Sequence, residues 1–75
     1  MVRSDVMPTV YQVIIHPCVD TTGYWAECIS LPGCFTDGET LQETQKNMFE
    51  AVNLFLNEDG GNVENYYLNF EVRNA

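Results

Sequence analysis

The chain has 75 residues, 45% of them apolar, and eleven acidic against three basic residues give a formal charge of -8. That length holds one domain, burying about 60 to 65% of its unfolded surface, and the apolar share argues against disorder. The acidity disfavours phosphate backbones and anionic membranes, which are bound through lysine and arginine, and it favours a basic partner. Surplus acid also keeps a small protein soluble, so charge alone leaves both readings open.

Residues 1–8 are polar and close on Pro8, and are expected to form a flexible arm before a single domain over 9–75. Residues 10–16 read as the first strand, with Tyr11, Val13 and Ile15 on one face and Val10, Gln12 and Ile14 on the other. Pro17 ends it, and Asp20-Thr21-Thr22-Gly23 supplies a hairpin turn. Residues 24–30 return antiparallel, because Tyr-Trp-Ala-Glu-Cys-Ile suits a half-buried pleated surface. Leu31-Pro32-Gly33 is a turn in which Pro32 presets one backbone angle and Gly33 supplies a positive φ. A short third strand follows over 34–37.

Thr40 and Glu43 form a capping box that opens a helix over 41–56. At helical spacing Leu41, Thr44, Met48, Ala51, Val52 and Phe55 share a face, flanked by Phe49 and Leu56, with Leu54 almost opposite. Asp59-Gly60-Gly61-Asn62 breaks the chain, and residues 66–72 form a last strand that alternates Leu68, Phe70 and Val72 with Tyr67, Asn69 and Glu71. The order β-β-β-α-β predicts an α+β fold. The third strand runs parallel to the first, and a right-handed crossover puts the last strand beside the first, also parallel. One helix then covers one face of a four-stranded mixed sheet, and the other face is left to solvent, a copy of the chain or a partner.

Several chemistries are disfavoured by residue type. Two-metal phosphodiester hydrolysis needs convergent carboxylates, yet the first strand has no acid, the last offers Glu71, and the helix offers Glu50. His16, Cys18, Cys28 and Cys34 fit no zinc-ligand spacing, and no acid or oxyanion hole is placed to activate a cysteine. Gly60-Gly61 precedes a strand, so it is no phosphate loop. No catalytic residue, metal or cofactor is expected. Three cysteines without a secretory signal argue against a disulfide framework, and no apolar run nears the roughly 20 residues of a membrane span; a cytoplasmic protein is expected. Tyr24, Trp25, Phe35 and Tyr67, with the acid Glu27 among them, are candidate partner-binding residues, and Tyr66 belongs to the same aromatic set. Trp25 reads first as a structural residue sealing one side of the sheet, and second as an interface anchor.

The ordered set Gly23-Tyr24-Trp25, Leu31-Pro32-Gly33-Cys34 and Gly38-Glu39-Thr40-Leu41-Gln42-Glu43, followed by Asn47, Glu50 and Ala51, resembles the HicB antitoxin family. The likeness runs nearly continuously from residue 11 to 56. It departs at Ile29-Ser30, where the family often has proline and an acid, and at Thr44, Gln45 and Phe49, often alanine, leucine and a polar residue. The resemblance implies a truncated ribonuclease H-like fold and a non-enzymatic antitoxin that binds HicA, a small basic ribonuclease. An orphan HicB-like domain that self-associates as a homo-oligomer, or binds another protein, is the alternative. Many family members carry a C-terminal DNA-binding segment; this sequence ends at Ala75 after the last strand, so direct nucleic-acid binding by the chain is not expected.

Overall fold

A computed structural model describes residues 9–58 and 65–73. The expected arm over 1–8 and the break at Asp59-Gly60-Gly61-Asn62 lie outside the described residues. The elements run β1 (Thr9–Pro17), β2 (Tyr24–Cys28), β3 (Phe35–Gly38), α1 (Leu41–Leu56) and β4 (Tyr66–Val72). They form an α+β fold whose mixed sheet has the order β3-β2-β1-β4. β2 is antiparallel to both β1 and β3, and β4 is parallel to β1, as the element order predicts.

Side-chain alternation along the strands decides what each face carries. Val13 pairs with Cys28 and Ile15 with Ala26, and these four are buried in the core with Cys34, Met48, Val52 and Tyr66. Ala26 and Cys28 are small, which lets α1 approach β2 closely enough to pack Met48 and Val52 against the sheet. Gly38 brings the end of β3 still closer: a Cβ there would stand 2.6 Å from Thr44 Oγ1 and 2.7 Å from Thr44 N. Thr44 is itself fully buried, and its hydroxyl donates to Thr40 O at 2.8 Å, so no polar group is stranded.

The turn and cap have the expected chemistry. Gly33 has φ +93°, and Cys34 N donates to Leu31 O at 3.1 Å across the turn. Thr40 Oγ1 accepts from Glu43 N at 3.0 Å. The Glu43 carboxylate reaches one residue further back than in a standard capping box and accepts from Glu39 N at 3.0 Å. Asn47 Nδ2 donates to Asp37 O at 2.8 Å, tying the helix to β3.

Two expectations need correction. β2 ends at Cys28 rather than Ser30, because the chain turns away there: Ile29 N still donates to Gln12 O, but Gln12 N donates to the Ser30 hydroxyl in place of a backbone carbonyl. The apolar stripe of α1 is also narrower than its periodicity suggests. Thr44, Met48 and Val52 are fully buried and Ala51 and Leu56 pack on the core, whereas Leu41 and Phe55, at the two ends, are exposed. The helix packs chiefly against the short β3 and β2.

Candidate functional site

With α1 on one face, the other face of the sheet is a regular lattice of side chains whose rows follow from the strand pairings. One row is Asp37, Trp25 and His16; the next is Phe35, Glu27, Ile14 and Glu71; further along lie Gln12 with Asn69, and Val10 with Tyr67. Ile14, in the middle of this face, is 4% exposed. Trp25 is 38% exposed, Phe35 61% and Tyr67 62%.

The polar groups on this face are mostly engaged with one another. His16 Nε2 donates to Glu27 Oε2 at 3.0 Å, the carboxylate being able only to accept. The same imidazole stacks on Trp25, with ring centroids 4.2 Å apart and planes 17° from parallel. Trp25 lies 6.5 Å from Phe35 across β2 and β3. Asn69 Nδ2 donates to Gln12 Oε1 at 2.8 Å, and Arg73 Nε to Glu71 Oε2 at 3.0 Å. The Asp37 carboxylate, directly opposite Trp25 in the register, has no hydrogen-bond or ion-pair partner among the described residues.

Of the five residues singled out from the sequence, Trp25, Glu27 and Phe35 are brought together here. Tyr67 shares the face but stands on β4, two strands away from β2 and opposite Val10. Tyr24 does not join them: it pairs with Pro17 and packs against the core on the helix side. Alternation puts Tyr24 and Trp25 on opposite faces, and the small Ala26 and Cys28, in phase with Tyr24, mark the helix side. Tyr66 is also internal, in a cluster with Tyr11 at 5.9 Å and Phe49 at 5.6 Å. Burial, with a smaller effect from Tyr11, pushes the Tyr66 hydroxyl up from its ordinary range, and the group donates to Asn53 Oδ1 at 3.3 Å. His16 and Asp37 were not marked as partner-binding residues by sequence reasoning; the β1–β2 register sets His16 opposite Trp25 on one side, and the β2–β3 register sets Asp37 opposite it on the other.

The carboxylates, thiols and imidazole weighed for catalytic or metal chemistry lie on different faces of the fold. Glu50 pairs with Lys46 on the exposed side of α1, whereas Glu71 lies on the opposite face of the sheet. His16 stands on the open face, while Cys28 and Cys34 are in the core as free thiols. Burial raises both thiols above their ordinary range, the nearby Cys28 adding to the effect at Cys34, which keeps them neutral and unreactive. Among the described residues no three His, Cys, Asp or Glu side chains are grouped to hold a metal, and no helix is long and apolar enough to cross a membrane.

No family model matches the chain, and no solved structure matches it. Over 46 residues it is 39% identical to the UPF0150 protein ssl0259 of Synechocystis sp.. That match spans 61% of this chain and 62% of the relative, whose name states no activity.

Proposed function

We propose that the chain is the antitoxin of a type II toxin–antitoxin pair. It neutralises a small basic HicA-type mRNA-cleaving ribonuclease by direct protein binding and has no catalytic activity of its own. The observation that carries this reading is the open sheet face, where exposed Trp25 and Phe35 stand among Glu27 and Asp37 on a chain of formal charge -8. Exposed aromatic anchors within an acidic field suit a basic protein surface: the rings supply buried area on binding, and the charges steer encounter. The ordered HicB-like motifs from residue 11 to 56 supply the choice of partner.

A second reading, self-association into a homo-oligomer, draws on β4. It is the outermost strand on its side, seven residues long, and carries Glu71 already paired with Arg73. A long edge without proline, unpaired by any strand among the described residues, invites another strand.

The test is toxin rescue. A small basic HicA-type ribonuclease, taken from the reading frame beside this gene if one is encoded there, is expressed with and without the chain, and growth and co-purification are scored. Restored growth with a stable complex is expected, and Trp25→Ala should weaken the complex while the chain stays folded. No rescue and no complex would overturn the antitoxin reading.

A further inference from the structure

We propose that the open face holds a receptor for an arginine side chain of the basic partner, built from Trp25, Phe35 and Asp37. This rests on the reading of the chain as a binder of a basic protein, and adds which cation it takes and where.

The imidazole of His16, held by Glu27 at 3.0 Å, stacks on one face of the Trp25 indole at 4.2 Å. This contact comes from β1. On the other flank of Trp25 lies β3, whose Asp37 is directly opposite and whose Phe35 ring is 6.5 Å away. A flat cation entering from the β3 side meets an indole already braced from behind. It also meets a second aromatic wall and a carboxylate that no group among the described residues engages. Glu27 and Glu71 each already engage a neighbour through one carboxylate oxygen, His16 and Arg73 respectively, which leaves Asp37 as the carboxylate beside Trp25 with no such commitment among the described residues.

The arrangement favours arginine over lysine for a physical reason. A guanidinium is planar, weakly hydrated and able to stack on an indole while its in-plane N–H groups point at a carboxylate. An ammonium is a compact, strongly hydrated point charge that gains less from the ring and cannot present a fork.

Trp25 is the sole tryptophan, so its emission reports on this site alone. The intact chain is titrated with hexa-arginine and with hexa-lysine at one ionic strength. Hexa-arginine should change the Trp25 emission saturably and bind about threefold to tenfold more tightly than hexa-lysine. Asp37→Asn should weaken hexa-arginine by a similar factor, while Glu50→Gln, which removes the same charge on the exposed side of α1, should leave it unchanged. Phe35→Leu should weaken hexa-arginine more than hexa-lysine. Unfolding curves of each variant check that the domain is intact. Equal binding of the two peptides, or equal losses in Asp37→Asn and Glu50→Gln, would reduce the effect to diffuse attraction and overturn the receptor. Toxin rescue is a separate readout. Rescue that persists unchanged in Asp37→Asn keeps the antitoxin reading and removes the receptor, whereas arginine selectivity without rescue keeps the receptor and assigns it to another basic protein.

Discussion

Gly33 and Gly38 are both needed, for different reasons. At Gly33 an added Cβ meets nothing within 4 Å, so a substitution there costs only backbone strain at φ +93°. Gly33→Val should lose about 1 to 2 kcal/mol, read as a lower urea midpoint with an unchanged slope; retained stability would remove the turn argument. At Gly38 the neighbour is backbone, Thr44 N at 2.7 Å, which cannot rotate away. Gly38→Ala should displace the helix start and lose about 1 to 3 kcal/mol. The thiols give a further residue-scale outcome. Burial raises Cys28 and Cys34 above the ordinary value of 9.0, so the unfolded chain releases those protons first as pH rises. Their contribution to stability is full below that value and is lost as pH climbs through the raised folded values. Native-state alkylation at neutral pH, followed by mass spectrometry, should label half-buried Cys18 and spare the other two until the domain opens.

At the scale of elements, the helix is defined by its ends. Thr40 caps one, and Asn57 N donates to Asn53 O at 3.1 Å at the other, so its bounds at Leu41–Leu56 coincide with those read from the capping box and the periodicity. Thr40→Ala should cost about 1 kcal/mol, or roughly 4 to 8 °C in Tm for a domain of this size, measurable by circular dichroism. An unchanged Tm would mean that packing of Thr44 and Met48 fixes the helix start without the cap. The strands were less sharply legible. β2 stops two residues early because the Ser30 hydroxyl substitutes for a carbonyl, a choice that depends on Gln12 from another strand. The stripe of α1 includes Leu41 and Phe55 by periodicity, yet exposure at its ends depends on how far the sheet extends beneath, which no helical pattern encodes.

For the whole molecule, acidity and the uncovered face act together. If the chain binds a basic partner as proposed, charges spread over the surface would steer encounter and be screened by salt, whereas contacts through Trp25 and Phe35 would set the dissociation rate. Association with a basic partner should therefore slow markedly between low and high salt. Trp25→Ala should instead speed dissociation and leave the salt dependence of association in place. Stopped-flow measurements separate the two rates, and a salt-independent association rate would show that the formal charge of -8 has no part in recognition.

The sequence by itself determined the element order, the helix bounds, the positive φ of Gly33 and the cap at Thr40, because each is decided by residues within a few positions of one another. It also determined that the helix would lie on one sheet face and not on both. Tertiary structure alone decided which aromatics share that face. His16, Trp25 and Asp37 come from three strands and meet only through the pairing registers, and Tyr24 is removed to the core by the phase in which Ala26 and Cys28 admit the helix. The physical reason is range. Turns and caps are closed by local hydrogen bonds, whereas the composition of a sheet face is set by packing between segments distant in the chain.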